Sequence, residues 1–229
     1  MEIALWGAIF AGTGRTLMAG FPREMYLSYA LWAAFFARIS TNWMYEYTMI
    51  DEIDTGAVNS ILTRPISFFE YYLGQFMGYK ILTALISLVA PVLVVFFWPQ
   101  AAIWARLPVA FLLAIYYLIL VYTVSFAVVS LGFFLNRVHS FTGAKNMALA
   151  MITGELFPLD LIPEPYRYWV LLMPFSSGVF VPVGYLTGRL QFKSILNGFL
   201  SVTVGILFFG AISRILWMRG RRLYSGTGA

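Results

Sequence analysis

The chain has 229 residues, 61% of them hydrophobic and 11% charged, with a net charge of +5. A soluble domain carries about 25% charged residues, so this chain lacks the side chains to solvate a globule. Its mean hydropathy of +0.80 marks an integral membrane protein, read as one membrane domain without a second folded unit. The absence of cysteine excludes disulfides, iron–sulfur clusters and thiol catalysis. No basic run with interleaved aromatics exists to follow a phosphate backbone, so nucleic acid is not an expected partner.

A membrane-crossing helix needs about 20 apolar residues. Residues 1–14 supply only about half of that and are read as a partial first span whose other half lies upstream. Residues 25–50 form the next expected span. Within it Arg38, Asn42 and Glu46 recur at i, i+4 and i+8. On one continuous helix they share a face, with the two charges about 12 Å apart at 1.5 Å per residue. Two readings stay open: a polar seam facing a partner helix or a translocation path, or snorkelling at the membrane edge.

Residues 51–65, DEIDTGAVNSILTRP, are a polar island between apolar runs. Asp54 and Thr55 can cap a helix beginning at Gly56. The acids at 51, 52 and 54 complement a helix N-terminus. Ala57, Val58, Ile61 and Leu62 give one apolar face, and Pro65 ends it. The expectation is a short amphipathic helix of about two turns, which needs a surface to lie on because helices this short are marginal alone.

The following spans are expected at 68–98, 107–135, 141–157 and 194–217. Residues 107–136 carry no charge, whereas 141–157 is short and contains Lys145. Glu155 ends that segment. It and Asp160 can meet a polar substrate at the outer mouth, or Asp160 can cap the next short helix. Residues 158–190 are apolar yet broken by Pro158, Pro163, Pro165, Pro174 and Pro182. Each proline interrupts a helix before it can cross. This predicts a helical hairpin that enters one leaflet and returns, buried against protein. Residues 218–229 form a tail carrying Arg219, Arg221 and Arg222. Placing this tail on the cytoplasmic side puts residues 51–65 there too, with the larger share of Lys and Arg.

No G-x-x-x-x-G-K-[ST] loop occurs, so the chain has no P-loop ATPase of its own. A single histidine, His139, without a His/Cys/acid cluster argues against a zinc site. No acid/base constellation suggests an intramembrane enzyme.

The run from Glu52 to Lys80 resembles the region after the second span in permease subunits of the type-2 ATP-binding cassette (ABC) exporters, in particular the small stand-alone permeases. Glu52, Ile53, Gly56, Val58, Leu62, Arg64, Pro65, Ile66 and Ser67 carry the resemblance. The run GELFPLDLIPEPYRYWVLLMPF is similar to that family's outer re-entrant segment, and ILWMRGRRLYSGTGA to its cytoplasmic tail. The resemblance implies an all-α polytopic membrane protein with the type-2 ABC exporter transmembrane fold. That fold has six spans, the first incomplete here, a cytoplasmic coupling helix at 51–65 and an outer re-entrant helical hairpin. It also implies a separate ABC ATPase subunit that binds ATP and Mg, with no cofactor in this chain. A second permease, identical or related, completes the path in a bacterial inner or plasma membrane. The implied ATPase-coupling residues are Glu52, Asp54, Gly56, Val58, Ile61, Leu62, Arg64 and Pro65, with Ile61 and Leu62 entering an apolar groove on the ATPase. A non-transporting scaffold or receptor built on the same fold is the alternative.

Overall fold

A computed structural model describes residues 2–14, 17–40, 43–135 and 137–224. Helix α1 (Glu2–Thr13) leads into a two-stranded antiparallel hairpin, β1 (Leu17–Met18) and β2 (Phe21–Pro22). Then come α2 (Arg23–Ser40), α3 (Trp43–Asp54), the single-turn α4 (Asn59–Leu62) and the long α5 (Phe68–Phe97). Two 3-10 turns precede α6 (Leu107–Ser130), which is followed by α7 (Val138–Ile152). Short pieces connect this half to the last helix: α8 (Tyr166–Leu172), a 3-10 turn at Pro174–Gly178 and α9 (Phe180–Leu186). The long α10 (Phe192–Leu223) ends the described chain.

Among the described residues three helical stretches are long and apolar enough to cross a membrane: Phe68–Phe97, Pro99–Phe133 and Phe192–Leu223. They differ in surroundings. The most apolar window of the middle stretch is 72% buried, against 25% and 22% in the other two. A helix that is apolar all round belongs in the interior, and α6 is that pillar: α2, α3, α7, α9 and α10 all pack on it. α5 and α10 lie at the periphery and present Phe96, Phe97, Leu200 and Leu207 outward. Glycines let α10 come close. A Cβ on Gly198 would lie 3.0 Å from Leu113, and one on Gly205 would lie 2.9 Å from Pro174 and 3.0 Å from Leu120. By contrast, Gly74 and Gly78 on α5 face no atom within 4 Å.

The expected second span at 25–50 holds α2 and α3, with residues 41 and 42 between them outside the described residues. The Ser40 hydroxyl lies 2.9 Å from both the Phe36 and the Gly178 carbonyl oxygens, tying the end of α2 to the Pro174–Gly178 turn. The expected segment at 141–157 is the 15-residue α7, which stops at Ile152.

The prolines of 158–190 do cut this region into short pieces, and α9 is buried along its whole length. Its polar backbone finds partners. Ile103 N–H bonds the Leu186 carbonyl at 2.9 Å, and the Arg106 guanidinium bonds the Tyr185 carbonyl at 2.9 Å while lying 4.8 Å from the Tyr185 ring. Asp160 caps no helix. It pairs with Arg189 at 2.8 Å, and the fully buried Arg189 guanidinium sits 4.5 Å from the rings of both Phe21 and Tyr26. Cation–π contacts of this kind strengthen when desolvated, and this one pins the small hairpin against α2.

The junction after α7 combines close packing with a left-handed backbone. Gly154 adopts φ +86°, and a Cβ there would lie 2.8 Å from the Tyr29 hydroxyl and 2.9 Å from Phe180 Cβ. The Gly154 carbonyl accepts from Tyr29 at 2.7 Å, and Phe180 N–H donates to Thr153 at 2.9 Å. Gly154→Ala combines a left-handed backbone penalty with overpacking and should cost at least about 2 kcal/mol. Gly74→Ala should be neutral or slightly stabilising. Thermal unfolding of the two variants in detergent checks the contrast.

Candidate functional site

Glu46 on α3 is fully buried, and an isolated carboxylate in an apolar interior must find a cation. It does: Lys145 on α7 forms an ion pair with Glu46 Oε1. The Lys145 ammonium also donates to Ser125 Oγ on α6 at 3.1 Å. Asn146 reaches the other carboxylate oxygen, Nδ2 to Oε2, at 3.5 Å. Three helices therefore meet at one charge pair.

A second polar group lies next to the first. A cavity of ≈ 20 Å³ is lined by Ser40, Tyr117, Asn146, Thr153 and Glu155, among others. That is room for one water molecule. The Tyr117 hydroxyl is fully buried and has no hydrogen-bond partner among the described residues. Glu155 closes one side of the cavity. Lys80 is buried on α5 and donates to the Arg38 carbonyl at 3.1 Å. The Glu46–Lys145 pair lies beside the cavity through Asn146, which touches Glu46 and also lines the cavity.

Of the face expected from Arg38, Asn42 and Glu46, Arg38 on α2 is exposed, whereas Glu46 on α3 is buried, so these two charges meet different surroundings. Asn42 lies outside the described residues. Glu46 and Glu155 are brought to one polar region by α7, whose Asn146 touches the first and lines the cavity with the second.

Residues 51–66 differ in local structure from the expectation. Asp54 and Thr55 cap no helix. Gly56, at φ +80°, terminates α3 as a left-handed C-terminal residue, and Thr55 Oγ1 donates back to the Asp51 carbonyl at 2.6 Å. Val58 N–H bonds Glu52 O at 2.9 Å, and the helix that follows is the single turn α4. Val58 and Ile61 are buried in the core, and Leu62 packs half-buried against it. They face inward, which corrects the placement of Ile61 in a partner's groove: the apolar stripe is already occupied by this chain's own core. Glu52 is half-buried, and its Oε2 is buried without a hydrogen-bond partner among the described residues.

The outward surface is Asp54, Ala57, Ser60, Thr63, Arg64, Pro65 and Ile66. Burial raises the Asp54 carboxyl above its ordinary range, opposed by His139. His139 lies 3.1 Å from Asp51 and stacks on Tyr47 at 5.3 Å.

The sequence matches the family described as ABC-2 family transporter protein over residues 1–228. The chain belongs to this family. No curated protein and no solved structure matches it. The chain is thus a transmembrane permease of the ABC transporter class and a multi-pass membrane protein.

Sequence reasoning singled out the acids of this permease but missed their partners. Lys145 was noted only as polarity in a short apolar segment, and Asn146, Tyr117 and Ser125 not at all. The available signal was complementarity: one acid in the 25–50 segment and one lysine in the 141–157 segment, each expensive in hydrocarbon unless paired.

Glu46→Leu leaves Lys145 buried without its carboxylate and should destabilise the permease by about 3–5 kcal/mol. The Glu46→Leu/Lys145→Leu double variant should recover most of this. Thermal unfolding of the single and double variants in the same detergent measures the recovery.

Proposed function

We propose that this permease is one of two subunits lining an export path, driven by ATP that a separate ABC ATPase binds with Mg and hydrolyses. On this reading six spans form in the bilayer, with α1, α2–α3 and α7 joining the three long helices. The pieces from Asp160 to Leu190 make the outer re-entrant hairpin. The turn from Asp54 to Pro65 is the coupling element on the cytoplasmic side of a bacterial inner or plasma membrane.

One observation carries the reading. The α4 turn is anchored inside by Val58 and Ile61, with Leu62 packed against the core, while a small face of Ala57, Ser60, Thr63 and Arg64 looks outward. An element gripped on one side and free on the other can take a push from a partner. Because Val58 bonds back to Glu52, the push enters α3. From Asp54 to Glu46 is about 12 Å of helix at 1.5 Å per residue. The Glu46–Lys145 pair then hands the displacement to α7. Nucleotide can shift the permease only by binding one arrangement more tightly than the other, and a rigid lever with a buried ion pair at its far end makes such arrangements discrete. Docking falls to Arg64, Ser60 and Ala57, while Glu52, Gly56, Val58, Ile61, Leu62 and Pro65 shape and hold the turn.

Arg64→Glu and Ser60→Trp change only outward side chains. Either should weaken retention of the ATPase more than about tenfold, the scale of losing a central interface contact, and leave the permease's own thermal unfolding unchanged. Co-purification in mild detergent, with vanadate-sensitive ATP hydrolysis in liposomes, is the measurement. Wild-type permease that brings down no ABC ATPase would overturn the reading in favour of the scaffold.

A further inference from the structure

Between α8, the Pro174–Gly178 turn and the first half of α10 runs an open groove of ≈ 840 Å³. Gly205 makes it possible, because Pro174 settles on α10 where a side chain would otherwise stand. The α10 wall runs from Asn197 through Ser201 and Val204 to Phe208 and Phe209. From Asn197 to Phe209 the helix advances about 18 Å at 1.5 Å per residue. One leaflet contributes about half of a hydrocarbon core roughly 30 Å thick, so the groove is one leaflet long.

The groove is also graded. Its polar wall residues, Asn197 and Ser201, sit at the end where α10 begins, and the wall from Val204 onward is apolar. Lys193 lies one turn before Asn197 on the same helical face. It is exposed and forms no ion pair among the described residues. Helix α8 is tied toward this end, because Arg167 bonds the Asp160 carbonyl at 3.4 Å and Asp160 pairs with Arg189 just ahead of α10; its Tyr166, Tyr168 and Trp169 are exposed, as aromatic side chains are at headgroup level.

The gradient selects the occupant. A peptide strand would bring backbone N–H and C=O groups against an apolar wall that cannot satisfy them. A helix of a second copy, about 10–12 Å across, would not place a negative group at Lys193. Lipid also meets the exposed apolar side of α5, but among the described residues Phe96 and Phe97 stand open there, 83% and 87% exposed, with no slot beside them. The geometry points to a bound anionic phospholipid of the surrounding leaflet, with its phosphate at Lys193 and Asn197 and one acyl chain lying along Ser201 to Phe209. This site does not depend on the proposed coupling to an ATPase.

The test uses the full chain in mild detergent with phosphatidylglycerol and phosphatidylcholine as probes, followed by native mass spectrometry. Wild-type protein should retain phosphatidylglycerol about fivefold better than phosphatidylcholine, the contribution of a single basic residue facing an anionic headgroup. Lys193→Glu should abolish the preference. Val204→Trp, which fills the slot from an exposed position, should lower retention of both lipids. A phosphatidylglycerol carrying a diazirine on its acyl chain, cross-linked to wild-type protein and mapped by peptide, makes the outcome independent of how the variants fold. Label concentrated at 168–175 and 197–209 is the expected result. Label spread equally over the exposed side of α5 would overturn the site. So would a Val204→Trp protein that loses a dimer while keeping its lipid.

Discussion

Everything in the interior is arranged around the need to bury Glu46 without leaving it alone. A carboxylate in hydrocarbon is tolerable only when paired and hydrogen-bonded. Lys145, Asn146 and Ser125 meet that need from two other helices. None of these helices can shift independently, because each would strand a charge or a polar group. The pair therefore fixes how α3 and α7 seat on α6. It also explains why an apolar pillar such as α6 carries Ser125 on its buried surface.

The same need operates at the other end of the bundle. The proline-cut pieces after α7 cannot satisfy their backbones alone, so α9 is buried and its carbonyls are taken by Ile103 and Arg106. Arg189 is handled differently, by one carboxylate and a cage of aromatic rings. Two chemistries for keeping a cation out of water thus bracket the structure. The Glu46–Lys145 pair ties long helices together, and Arg189 ties down a small hairpin.

The turn at 54–66 sits at the end of the α3 lever, and its two sides do different work. Its inward side chains are part of the core, so its position follows α3. Its outward side chains bond at most within the same turn, as Thr63 Oγ1 does to the Asn59 carbonyl at 3.1 Å. On the proposed function, a push on that outer side passes into α3 because the inner side is held by the core.

Much of this was legible in the sequence. The long apolar runs marked α5, α6 and α10. The motif from Glu52 to Ser67 identified the family, and the prolines of 158–190 announced short pieces. These features are local: hydropathy, fixed φ at proline and motif spacing act over a few residues. What failed was also consistent. Gly56 looked like the start of a helix but ends one, because its left-handed φ is set by how α3 turns into α4. Arg38 and Glu46 looked like neighbours on one face, but Arg38 is exposed and Glu46 is buried. Ile61 looked like an outward apolar contact but faces its own core. Pairing Glu46 with Lys145, and Asp160 with Arg189, joins positions far apart in the chain. The sequence by itself determined that charges would have to be hidden. Only the tertiary structure decided which partner hides each one, because that choice depends on which helix faces meet.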